Sequence, residues 1–256
     1  MHIAAFISYF PLFLSGLCLF AFTMQKSDFK QDQLKNKRVK NAYLNKENYL
    51  NTELQKKQLT LNNLHILLIG YKYEKKLDVY VKSKTDKTYK KFITYDFCVL
   101  SGELGPKRKE GDLQVPEGFY YINWFNPNSN FHLSFKINYP NASDKILSDK
   151  KHPGGEIFIH GNCVSIGCIP ITDEKMDELY ILALEATNNG QSKIPVYIFP
   201  TELNGPKYQA LINTYADKPE LLDFWNNLKE GYTLFMQNKT ALTYTVNKQG
   251  KYVFNR

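Results

Sequence analysis

A short run of β-branched and aromatic residues, Ile157-Phe158-Ile159, leads straight into His160-Gly161, and the chain then turns through Ser165-Ile166-Gly167-Cys168 before Ile169-Pro170-Ile171. Such a run reads as a strand and the Ser/Gly punctuation as a tight loop, so any fold must bring a strand end and a thiol-bearing turn side by side. That order suits covalent chemistry. A thiolate is the reactive form of cysteine, and a neighbouring imidazole generates it by taking the proton. Cys168 is therefore the candidate nucleophile and His160 the candidate base. The carbonyl of Gly161 is placed to orient the imidazole, the part that Asn or Asp plays in other Cys-His sites. Gly167 lets the backbone bend before the thiol, with its amide and that of Cys168 as candidate oxyanion donors and Ser165 at the start of the turn.

Two other uses of the same residues stay open. A zinc site would draw on His160, Cys163 and Cys168, with His152, but the spacing lacks the paired rhythm of structural zinc, and no metal or other cofactor is expected. A Cys163–Cys168 disulfide would silence the nucleophile.

The chain has 256 residues, 43% of them hydrophobic, enough for one sizeable core with extensions. Its 18 Tyr and 17 Phe suit a β-rich domain. Residues 1–24 hold an apolar run from Ile3 to Thr23, expected to be an export signal or an N-terminal membrane anchor; Cys18 follows bulky Leu17, which disfavours lipidation. Residues 25–60 form a basic helical arm or linker with nine Lys/Arg against four Asp/Glu, +5 of the chain's +8, and a helix is expected over 32–59. Its charge reads as a solvated face in preference to a membrane-binding one, and nothing points to nucleic acid. Strands are expected over 65–70, 77–81, 92–100, 119–125, 131–137 and 195–200, with a strand pair near the C-terminus. Helices are expected after Thr172 and over 221–235; the aromatic stripe of the second reads as core.

Beyond the His-Gly and Ser-x-Gly-Cys elements, the chain carries Gly105-Pro106-Lys107-Arg108, Gly111-Asp112, Pro116-Glu117-Gly118-Phe119-Tyr120, His132-Leu133-Ser134-Phe135, Tyr139-Pro140-Asn141-Ala142 and Phe224-Trp225. In this combination, spanning about residues 60–240, it resembles the YkuD-type L,D-transpeptidases, and within them the YafK-like murein branch. The resemblance implies an α+β, β-rich fold built on a mixed sheet or sandwich, with a helix after the catalytic cysteine and helical extensions at both ends. The catalytic domain is then expected over 61–200, with 201–256 packed on it. It also implies cysteine acyl transfer on the diamino-acid-containing stem peptide of peptidoglycan through a thioester, in the periplasm or cell envelope. The alternatives are hydrolysis of a bond between that diamino acid and an attached protein or peptide, and a non-catalytic wall-binding module. His132, Ser134, Tyr139, Lys107 and Arg108 are the implied substrate-binding residues. Two positions depart from the common pattern: Ile166 stands where His is usual, and Pro170 near the usual Arg or Asn.

Overall fold

The computed structural model describes residues 29–255; the apolar N-terminal run and Cys18 lie outside them. Strand β1 (Leu64–Tyr71) is the hub, pairing antiparallel with β2 (Lys76–Ser83) and parallel with β8 (Ile194–Phe199). It is apolar on both faces because both are covered. Leu64, Ile66 and Leu68 enter one core and Leu67, Ile69 and Tyr71 the other, as a period of two dictates.

The remaining strands are β3 (Lys90–Asp96), β4 (Gly118–Asn126), β5 (Ser134–Ile137), β6 (Phe158–His160) and β7 (Ile169–Pro170), completing an eight-stranded mixed sheet of order β3-β2-β1-β8-β4-β5-β6-β7. Although β3 and β7 stand at opposite edges, the amide of Cys98, just past β3, donates to Pro170 O on β7 at 2.9 Å. The sheet curls until its edges meet at a seam.

Helices α1 (Phe29–Leu34) and α2 (Lys37–Gln55) precede the sheet; the single helix expected over 32–59 is interrupted before Asn36, whose side chain caps α2. Val39, Ala42, Leu50 and Leu54 are buried in the first core, so α2 packs on the sheet domain and does not stand off as an arm. Part of its positive charge is spent there. Lys46 pairs with Glu174 at 2.5 Å and with buried Glu178 at 3.2 Å, both on α4 (Asp173–Asn188). Helix α4 starts at Thr172, whose hydroxyl accepts from the Lys175 amide, and it is buried along most of its length.

The opposite face holds the aromatic core. Helix α6 (Pro219–Asn238) buries Trp225, Leu228, Tyr232 and Phe235, as its spacing predicts, and strands β9 (Tyr244–Val246) and β10 (Tyr252–Phe254) form the expected terminal pair. Helices α3 (Ala142–Leu147) and α5 (Gly205–Thr214) lie where no helix is expected. Beneath the 102–118 loop, Lys72 and Glu117 are fully buried and paired at 3.1 Å, and Glu117 also accepts from Trp225 Nε1 and from the Gly105 amide. No helix among the described residues is long and apolar enough to cross a membrane.

Candidate active site

His160 closes β6 and is buried, with the Phe131 ring tilted over its imidazole at a centroid distance of 4.8 Å. Its Nδ1 lies 2.5 Å from Gly161 O. A carbonyl can only accept, so Nδ1 carries the proton and Nε2 is left with the lone pair of a base. Gly161 must be glycine: a Cβ there would meet Asp173 Oδ1 at 2.5 Å and His132 Cβ at 2.8 Å.

From Gly161 to Cys168 the backbone is held by short-range bonds. Asp173 Oδ1, in the first turn of α4, accepts from the Asn162 amide at 2.7 Å, and the Ser165 hydroxyl donates to Cys168 O at 2.8 Å. Gly167 has φ of +132°, a conformation open to glycine, and a Cβ would press on Gln114 O at 3.1 Å. Its amide donates to Ser165 Oγ at 3.2 Å. The expected use of the Gly167 N–H as an oxyanion donor is thus corrected, because that hydrogen already stabilises the turn.

Cys163 is joined to Cys98 in a disulfide across the seam, closing a separation of 65 residues. This overturns the Cys163–Cys168 bridge and removes Cys163 from the zinc alternative. Cys168 is the free thiol of the described residues, and none of their His, Cys, Asp and Glu side chains form a group of three or more able to hold a metal ion. Cys168 Sγ donates to Glu156 O at 3.7 Å.

Cys168 and His160 line one cleft of about 450 Å³, with Phe131, Ser134, Glu156, Phe158, Val164 and Ile166 among its walls. Burial raises the Cys168 thiol above its ordinary 9.0, a backbone contact with Phe158 opposing, and Glu156 raises it further. Burial likewise lowers His160 below 6.5, its carbonyl bond opposing. Both shifts disfavour charge, so the resting pair is neutral thiol and neutral imidazole.

Such a Cys-His cleft at a curled-sheet edge can be set beside known proteins. Residues 65–198, just over half of the chain, match the L,D-transpeptidase catalytic domain family, YkuD. The chain belongs to that family. It is 34% identical over 203 residues to YafK of Escherichia coli (strain K12), provisionally named an L,D-transpeptidase, covering 78% of this chain and 77% of that one, with the same figures for strain O157:H7. Among solved structures, the helical cell shape determining protein Pgp2 of Campylobacter jejuni matches at a TM-score of 0.43 and 20% identity, covering 72% of this chain and 73% of that one.

Against the L,D-transpeptidase pattern, Ile166 is 79% exposed on the cleft lip and presents no hydrogen-bonding group there. The residues implied to bind substrate divide. Ser134 lines the cleft. His132 turns to α4, where Nε2 meets Asp177 Oδ1 at 2.6 Å, and that partner raises its pKa. Tyr139 is buried, its hydroxyl donating to Pro153 O at 2.9 Å. Lys107 is buried against Asp112 at 2.6 Å, while Arg108 meets Asp144 at 3.3 Å and covers the Phe224 ring. These four side chains are committed within the fold. Conversely, sequence reasoning missed Phe131 and Glu156. Nothing in the local pattern marks them: Phe131 acts through a ring contact with His160, and Glu156 lines the cleft and offers its backbone carbonyl to the thiol.

Proposed function

We propose that this chain is a peptidoglycan enzyme that transfers an acyl group from the diamino-acid-containing stem peptide, with Cys168 as nucleophile and His160 as base. The observation that carries this is the Nδ1 to Gly161 O bond, which leaves Nε2 basic in the cleft that also holds the free Cys168 thiol. Because both groups rest neutral, His160 takes the thiol proton as sulfur attacks the carbonyl at the L-centre of the diamino acid. The tetrahedral intermediate collapses with cleavage of the C–N bond; the imidazolium protonates the departing amine, leaving a thioester on Cys168. An entering amine then attacks the thioester carbonyl and gives up a proton to His160; the C–S bond breaks, and the departing sulfur takes that proton back, restoring the thiol.

The Cys98–Cys163 disulfide supports work in an oxidising compartment, in keeping with export by the N-terminal apolar run to the cell envelope. A second reading, hydrolysis that releases a protein or peptide attached through the diamino acid, is favoured by Ile166, since the cleft lip lacks a polar side chain there to hold an amine acceptor. Product analysis decides between them. The enzyme is given a tetrapeptide muropeptide and a muropeptide bearing a lysine-linked peptide remnant. Cross-linked or D-amino-acid-exchanged products are expected from transfer; clean loss of the remnant without exchange overturns transfer in favour of an amidase.

A further inference from the structure

Ser134 opens β5 directly across from His160 on β6, and cross-strand partners project from the same face of a sheet. It lines the cleft and is 1% exposed, and its Oγ has no hydrogen-bond partner among the described residues. A buried unpaired hydroxyl works against stability, so its presence calls for a reason. The two other serines of the cleft have protein partners. Ser129 Oγ accepts from the Phe131 amide at 3.0 Å and Ser165 Oγ donates to Cys168 O at 2.8 Å. Ser134 is the one left uncommitted, and it stands beside the base.

The base handles two groups in turn at the same place. It protonates the leaving amine as the C–N bond breaks, and it later removes a proton from the entering amine or water, so both occupy the cleft on the His160 side. An amine there carries more N–H groups than His160 alone can engage. We infer that Ser134 Oγ accepts a hydrogen bond from the N–H of the leaving amine and from that of the entering acceptor, which makes it a substrate-contacting residue that favours amines in both positions. Ser134 gives up no proton in either step; the proton passes from His160 Nε2 to the leaving nitrogen as its C–N bond breaks, and from the entering nitrogen to His160 Nε2 as the new C–N bond forms. The inference rests on the acyl-transfer reading of Cys168 and His160.

Two substrates with one acyl group separate the two ideas: a peptide amide, whose leaving group is an amine, and an activated aryl ester, whose leaving aryloxide has no N–H to offer. Single-turnover acylation is followed by intact mass in the wild type, Ser134→Ala and Ser134→Thr. The readout is the ratio of amide to ester rates, which does not depend on the folded fraction. In Ser134→Ala the ratio should fall at least about tenfold, the size expected for one lost hydrogen bond to a reacting group. Ser134→Thr, which keeps a hydroxyl, should restore most of it. The melting temperature of Ser134→Ala should equal or exceed that of the wild type, because an unpaired polar group has gone. An unchanged ratio in Ser134→Ala, whether both rates fall together or neither falls, overturns the role of Ser134. Absence of any Cys168 adduct from either substrate in the wild type overturns the acyl-transfer reading itself.

Discussion

Two polar, glycine-rich loops of this chain look equally functional by composition, and the fold uses them in opposite ways. The 102–118 loop carries Lys107 and Arg108, but these cations are paired with Asp112 and Asp144, and the loop is pinned from below by the buried Lys72 and Glu117. The 161–168 loop also ties its backbone down, through Asp173, Ser165 and the Cys98–Cys163 bridge, yet leaves the Cys168 thiol and His160 Nε2 in an open cleft. Charge-rich loops are thus poor guides to chemistry. What marks the candidate catalytic loop is a rigid backbone beside a thiol and an imidazole that share one cleft.

The sharpest way to break this contrast is at the thiol. Cys168→Ala should lower turnover by at least about 10³-fold, since removing a nucleophile leaves only binding and electrostatic effects. The protein should stay folded, and a progress curve near wild-type rate would end the assignment. At the other loop the damage should be to stability. Lys72→Met strands Glu117 as a buried charge, with an expected cost of roughly 3–5 kcal/mol in denaturant unfolding; activity per folded molecule should change little. A large loss of kcat in fully folded Lys72→Met would move the 102–118 loop into the site.

The disulfide comes next in size. Closing a loop of this length constrains the unfolded chain, and its removal should cost roughly 2–4 kcal/mol. Cys98→Ser and Cys163→Ser should therefore melt lower and lose activity as the 161–168 loop loosens, and reductant should inhibit the wild type. Activation by reductant would restore the idea of a bridge that blocks Cys168.

Much of this was legible in sequence because it is local. A short apolar run gives β1, the alternation of Leu77, Val79 and Val81 gives β2, a run of aromatic and β-branched residues gives β4, and Thr172 with the stripe from Met176 to Leu184 gives α4. His160, Cys168 and the Gly161 carbonyl lie within nine residues, so the three roles proposed for them can be read from one segment. The partner of Cys163 cannot. Cys98 reaches it only because the sheet curls and joins its two edges, a property of the whole strand order. The same limit hid the fate of Arg108, whose partner Asp144 sits on unexpected α3 and whose ring contact, Phe224, sits on α6. Helix α5 starts at a Gly-Pro that reads as a breaker until the proline is seen in the first turn, where its missing N–H costs nothing.

The smallest expected effect is on pH. With His160 lowered by burial, the base stays unprotonated on cooling the pH scale from neutral, and the acid limb of kcat/KM should fall below pH 6.5. With the Cys168 thiol raised by burial, alkylation of the free enzyme should climb only above pH 9.0. An acid limb above 6.5, or rapid alkylation at neutral pH, would mean a resting thiolate-imidazolium pair.

The most direct test of the central claim is to quench the enzyme during turnover of a tetrapeptide muropeptide, digest it without reduction, and map the acyl group by mass. A thioester on Cys168 with Cys98 and Cys163 still joined is the predicted result. Turnover with no adduct on Cys168, or an adduct carried by Cys163, would contradict it.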